Sequence, residues 1–378
     1  MTFFHHTFSH SMSFLKNAEL NELYISVFLR TLAGAIINIF VPVFLYQLGF
    51  SIGQIALFYI VNIVAMVLLY PFGFFLATKI GLKHLMAIGT FLFFGFYLIL
   101  PLIENGLFYL LPALFHAVAN IFYWSAFHTH LTRSVSKKHS AQELSLFQII
   151  SMLTTLLGPL IGAVLILFFS FNVTFVIVAF LLLCSVIPLF FTQESFLENP
   201  LSVRDFFSQL TTNRLLGHIG EGVENYSTLI IWPLFIYVIV QGVLSLGVII
   251  SLSALPIMWF VWRLSKQVDA NPSRVLSKAV YASSFLYLLR PFIIHPIGLF
   301  IMNFLNNLTN HSVHLSFHKI IYSQAKKSVS YIYFREVFLG LGRVIVLFVL
   351  FVSNSFFATF FFAALGTLLC LCLVQKSN

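Results

Sequence analysis

The feature that most constrains this chain is a succession of apolar runs, each about 20 residues long, separated by short polar breaks. A helix of that length spans the hydrocarbon core of a bilayer. Twelve spans can be traced, at 21–47, 51–77, 84–103, 106–131, 141–168 and 171–191, then 214–240, 243–263, 275–294, 297–321, 329–352 and 354–374. A polar stretch at 192–213 divides them six and six, and within it Val203–Leu210 reads as an amphipathic helix at the interface. Composition agrees: of 378 residues, 60% are apolar and 8% charged, against about 25% charged in a soluble domain. Too little polar surface remains to cover a globule in water. A soluble enzyme, a disordered chain and a fibrous repeat are excluded, and the expected fold is an all-α membrane protein of twelve transmembrane helices.

The net charge of +9 does not point to nucleic acid, because the cations fall in short loops with no basic face. With the amino terminus inside, the inner segments hold Lys16, Lys79, Lys83, Arg133, Lys137, Lys138, Arg204, Arg214, Arg263, Lys266, Arg274, Lys278, Lys319, Lys326, Lys327 and Lys376, which is 16 of the 20. Arg30, Arg290, Arg335 and Arg343 fall within spans, and the outer turns carry none. Lys and Arg are retained on the cytoplasmic side, so both termini are expected there, in a multi-pass protein of the cytoplasmic membrane. No signal peptide is read at the amino terminus, and His5, His6 and His10 read as a frayed tail. Cys184, Cys370 and Cys372 lie in apolar segments without metal or disulfide spacing. No phosphate-binding Gly-Lys-Ser/Thr loop and no HExxH motif is present. The expectation is a monomeric non-enzyme without cofactor or metal, whose partners are the lipid bilayer, a small-molecule substrate and a proton.

The two halves resemble each other. Pro42-Val43-Phe44-Leu45-Tyr46 matches Pro233-Leu234-Phe235-Ile236-Tyr237, and Ser51-Ile52-Gly53 matches Ser245-Leu246-Gly247. Phe127-His128 matches Phe317-His318, and Lys137-Lys138 matches Lys326-Lys327, all at offsets between 189 and 194. Two halves in the same orientation imply two pseudo-symmetric six-helix bundles, 1–198 and 199–378, with a site at their interface.

Over essentially its whole length the chain resembles the major facilitator superfamily, whose loop between the second and third helices reads G-x-L-A-D-R-x-G-R-K. Here the loop is Phe74-Phe75-Leu76-Ala77-Thr78-Lys79-Ile80-Gly81-Leu82-Lys83. Lys79, Gly81 and Lys83 are kept. The aspartate, which the resemblance implies helps latch the cytoplasmic side, is Thr78. Gly158-Pro159-Leu160-Ile161-Gly162 in the fifth span is similar to the core of the G-P-x-x-G motif of proton-coupled exporters.

A charge at the bilayer centre costs about 2.5–3.5 kcal/mol on insertion scales, so each one needs a reason. The repeat places Glu221 opposite Arg30, with Glu224 one turn deeper. An Arg30 pair with either carboxylate, made in one transport state and released in the other, is the expectation, with static packing or snorkelling as the rival. In the tenth span Asn303, Asn307, Asn310 and His314 follow one helical face down to His318, with Asn306 and His311 beside it. Asn38, His116, Asn120 and Gln148 supply polar groups from the first half. These residues are expected to wall a substrate cavity, with interhelical glue as the alternative for some. Arg343 is a candidate for an anionic group, neutralised by Glu336, and Arg290 reads as an outer-interface anchor. The function these features imply is rocker-switch transport of a small organic solute, most simply export by proton exchange. Uptake, uncoupled facilitation, and a non-transporting scaffold or sensor on the same fold are the alternatives.

Overall fold

The computed structural model describes residues 18–103, 107–134, 140–196, 203–325 and 330–374. The amino-terminal histidines, the Lys137-Lys138 and Lys326-Lys327 pairs and the side chains of Gln148 and His318 lie outside what is described.

Helix is the only regular structure among these residues. In chain order, α1 (Ala18–Ile37) passes through a 3-10 turn at Asn38–Phe40 into α2 (Val41–Gln47), followed by α3 (Ile52–Ile80), α4 (Leu82–Ile99), α5 (Leu111–Ser134) and α6 (Ser140–Val186). A short α7 (Val203–Ser208) precedes α8 (Thr212–Tyr226), which continues through a π segment at Ser227–Ile231 into α9 (Trp232–Val240). Then come α10 (Val243–Leu252), α11 (Leu255–Ala270), α12 (Pro272–Leu289), α13 (Pro296–Ala325), α14 (Ser330–Ser353) and α15 (Phe356–Leu368).

Among the described residues, eight helical stretches are long and apolar enough to cross a membrane, against the twelve read from the apolar runs. The difference has local causes. The fifth and sixth expected spans form the single helix α6, kinked where Ser170 leaves helical geometry at φ 82°. The eighth is interrupted at Ser253–Ala254, and Pro256 sits in the first turn of α11, where its missing N–H costs nothing. The ninth and tenth, α12 and α13, carry the polar side chains that dilute their apolar surface. The spans that do qualify expose large side chains such as Leu68, Phe168, Phe180 and Leu365, as lipid contact requires.

The first and seventh expected spans share a device. Each breaks midway, at Asn38–Phe40 or Ser227–Ile231, and restarts with a proline, Pro42 or Pro233. Proline cannot donate to the preceding turn, so the interruption falls where the ladder is already short of a donor.

Close packing is built on glycine. A Cβ on Gly162 would stand 1.9 Å from the Ile36 carbonyl oxygen, and one on Gly158 would stand 2.3 Å from Ala35 Cβ, so α6 seats directly on α1. In the second half, a Cβ on Gly222 would lie 2.1 Å from the Leu339 oxygen and one on Gly342 2.0 Å from the Ile219 oxygen, which joins α8 to α14. Small residues let membrane helices approach to backbone contact, which stands in for the hydrophobic drive that lipid removes. Helix α3 packs along α14 and α10 along α6, tying the two halves together.

Candidate functional site

In the first half, Arg30 is buried near the middle of α1. Its guanidinium lies between two rings, 3.4 Å from the centroid of Tyr123 and 4.3 Å from that of Phe93. Its Nη1 donates to Thr90 Oγ1 at 3.3 Å. The hydroxyl of Tyr97 donates to Asn38 Oδ1 at 2.9 Å, and Asn38 itself is exposed. A neutral amide–imidazole group sits nearby. Asn62 Nδ2 donates to the Ala113 carbonyl and approaches His116 Nδ1 at 3.0 Å, and Asn120 Nδ2 approaches the same nitrogen at 3.0 Å. Two amide donors converging on Nδ1 fix it as the acceptor. Trp124 Nε1 donates to Asn120 Oδ1, completing the chain.

In the second half the acids and cations are paired. Glu221 is fully buried, accepts from Arg335 Nη2 and stands 3.0 Å from His218 Nδ1, whose other nitrogen meets the Tyr331 hydroxyl at 3.1 Å. Arg335 Nη1 also donates to Glu336 at 2.7 Å. One turn deeper, Glu224 is equally buried. Its Oε1 accepts from Asn310 Nδ2 at 2.9 Å, while Oε2 lies 3.8 Å from His314 Nε2 and has no hydrogen bond among the described residues.

The arrangement bears on four expectations. Arg30 meets neither glutamate here, the released half of the expected pair: Arg335, entering from α14 next to α8, holds Glu221, while Arg30 is turned into the aromatic slot of its own half. Arg290 is no interface anchor: it is fully buried, donates to Asn306 Oδ1 and lies over Tyr287 at 4.0 Å and Trp232 at 4.7 Å. Glu336 neutralises its neighbour Arg335, whereas half-buried Arg343 donates through Nε to Asn225 Oδ1 at 3.1 Å. The tenth-span stripe also divides. Asn303 is fully engaged as glue, accepting from Trp232 Nε1 at 2.9 Å and donating to Ser253 Oγ, while Asn310 and His314 turn to Glu224 and Asn307 is half-buried.

The loop motif is clamped within its own half. Among the described residues the Thr78 hydroxyl bonds to the Phe75 carbonyl of its own helix, and Lys79 is exposed. Lys83, by contrast, is buried and donates to Glu22 on α1 and to Thr192, whose backbone N–H also binds Glu22. Glu194 accepts from the backbone N–H groups of Lys83 and His84, capping α4 from a distance. Gly81, at φ 91°, makes room for it, since a Cβ there would meet Glu194 at 2.5 Å. Burial pushes the Glu194 carboxyl up, but the N–H donors of Lys83, Ser195 and His84 outweigh it and hold the group below the usual carboxylate range.

Several of these partners escaped the sequence reading. His218 could have been found by its i, i+3 spacing to Glu221. Glu22, Thr192 and Glu194 carried no such signal, since only the fold brings them to Lys83.

Compared with known proteins, the description of the Major Facilitator Superfamily matches residues 23–374. No curated protein matches the chain.

Proposed function

The chain belongs to the Major Facilitator Superfamily, and from that premise we propose that it is a secondary transporter that moves a small organic solute by alternating access, with Glu224 carrying a coupling proton. The observation that supports the coupling is the state of that carboxylate. It is buried inside a membrane helix, next to a π segment, with one oxygen that makes no hydrogen bond among the described residues and lies 3.8 Å from His314 Nε2. Interruptions of this kind recur at functional sites. An ionisable residue within a span is itself a site hypothesis. Glu221, one turn away, is fully committed to Arg335 and His218 and serves the packing of α8 on α14.

The working unit in this reading has twelve crossings in two bundles, 1–198 and 199–378, in a monomer with both termini cytoplasmic in the cytoplasmic membrane. Contact between repeat-related residues supports it. Tyr46 and Tyr237 meet edge to face at 6.2 Å, and Gln47 Nε2 donates to the Tyr237 hydroxyl at 2.7 Å, as residues beside a twofold axis would. At the same end the Gly53 N–H donates to Asn354 Oδ1. With positive charge inside, these contacts close the outer face. The export direction rests on the Gly158-Pro159-Leu160-Ile161-Gly162 likeness.

Purified protein in liposomes containing a pH-sensitive dye, given a gradient and pooled organic solutes, tests the coupling. Solute-triggered proton flux in the wild type, lost in Glu224→Gln, is the expected result. Flux that survives in Glu224→Gln removes this carboxylate from the mechanism.

A further inference from the structure

The five guanidinium N–H groups of an arginine and its permanent charge demand partners. The partners differ in kind among the arginines placed within a span. Arg335 has two carboxylates, Arg290 has Asn306 and the Ser227 carbonyl, and Arg343 has Asn225. Arg30 donates one hydrogen bond, to Thr90, and no carboxylate pairs with it among the described residues. The acid nearest to it in sequence, Glu22, is taken by Lys83, and Glu221 by Arg335.

The rings of Phe93 and Tyr123 hold the guanidinium in place and stabilise its charge through their faces, but they do not neutralise it. Nor are the remaining nitrogens sealed. Arg290 Nε and Arg335 Nε are buried without a partner, but no atom of Arg30 is. Gly34, four residues on in α1, is half-buried and Asn38, in the turn that ends the helix, is exposed, so exposure rises along the chain from Arg30 towards Asn38. A cation oriented by stacking and short of acceptors among the described residues is suited to receive an anion.

We propose that Arg30 is the receptor for an oxyanion on the transported solute, a carboxylate or phosphate monoester bound by the guanidinium nitrogens that Thr90 leaves over. Phe93 and Tyr123 are positioning residues that set the plane of the fork, and Asn38 lines the way in. This inference rests on the reading of the chain as a solute transporter and supplies the chemical class of the solute.

The test is thermal unfolding of the purified full-length chain in detergent, titrated separately with benzoate, benzamide, phenyl phosphate and phenol. Benzoate against benzamide isolates the carboxylate, and phenyl phosphate against phenol isolates the phosphate. At least one anion is expected to raise the unfolding temperature at concentrations about tenfold or more below its neutral counterpart, the size expected of charge-assisted hydrogen bonds. Arg30→Gln abolishes the difference, and Arg30→Lys, which keeps the charge but loses the planar fork, reduces it. If Arg30→Gln does not yield folded protein, Arg30→Lys and the wild-type anion–neutral difference still decide. A wild type that responds to none of the four probes, or equally to anion and neutral counterpart, overturns the proposal, as does an Arg30→Gln protein that keeps the difference. Because binding is read without a gradient, it fails or succeeds independently of proton flux. Anion binding without flux removes the coupling alone, whereas flux driven only by neutral solutes removes the anion receptor alone.

Discussion

Among the described residues Arg30, inside the first half, lies among rings and neutral amides with no carboxylate paired to it, whereas both carboxylates of α8 in the second half are engaged, Glu221 by Arg335 and His218 and Glu224 by Asn310. Arg30 lies between Tyr123 and Phe93, with His116, Asn62 and Asn120 close by as neutral hydrogen-bonding groups. On the other side, Glu221, Arg335, Glu336 and His218 form one chain, with Glu224 a turn beyond. The helix pairs beneath are alike, α1 on α6 and α8 on α14, each joined through glycines at backbone contact. A shared scaffold therefore carries two electrostatic solutions. A buried pair with its hydrogen bonds complete fixes helices relative to each other. A buried charge without its partner instead stores a demand that a ligand can meet.

The sharpest way to break this comparison is to remove one member of the paired chain. Glu221→Ala leaves Arg335 with Glu336 as its carboxylate partner and takes away the acceptor of His218, and a loss of about 1–3 kcal/mol is expected. The measurement is the apparent unfolding temperature in detergent, with Arg335→Met/Glu221→Leu as the double variant that recovers most of the loss. If the single variant unfolds with the wild type, the pair does not hold α8 to α14.

Arg30→Met provides the opposing case and a smaller effect. Removing a charge that lacks a counter-ion relieves its desolvation while giving up the ring contacts, so the ligand-free protein is expected to unfold within about 1 kcal/mol of the wild type or above it. A loss as large as that of Glu221→Ala would show that Arg30 is structural, and the two halves would no longer differ in kind.

The most local effect is expected at the edge of the first half, in the clamp on Lys83. Because the carboxyl of Glu194 is held below the usual carboxylate range in the folded state, its contribution is present above that range and is lost as pH falls through and below it. Loss of a helix cap is worth about 0.5–2 kcal/mol. Amide exchange at residues 82–84 should therefore quicken on acidification, and Glu194→Gln should show the quicker exchange already at neutral pH. Exchange indifferent to both would mean that Glu194 does not cap α4.

Much of this was legible in the sequence, but unevenly. The apolar runs and the amphipathic segment at Val203–Leu210 predicted most of the described helix, and the proline-restarted repeat motifs landed at matched breaks in α1–α2 and α8–α9. Asn310 and His314 were found as polar groups at helical spacing, and Glu224 by its depth. Arg290 was misplaced because a residue at the end of a helix can face the interface or the core, and only the position of Trp232 and Tyr287 decides. That Arg335 holds Glu221 here was not legible for a similar reason: the repeat fixes heights along two helices, not the direction in which each side chain turns.

The sequence by itself determined that the chain is helical, lies in a membrane and repeats its first half in its second, because period, length and hydrophobicity are local properties that every residue in a span must satisfy. Tertiary structure alone decided which carboxylate meets which cation, that Lys83 is held by Glu22, Thr192 and Glu194, and that Arg30 has no carboxylate partner among the described residues. Such pairings depend on helices far apart in the chain approaching to within a hydrogen-bond length, a distance set by packing at Gly162, Gly222 and Gly342.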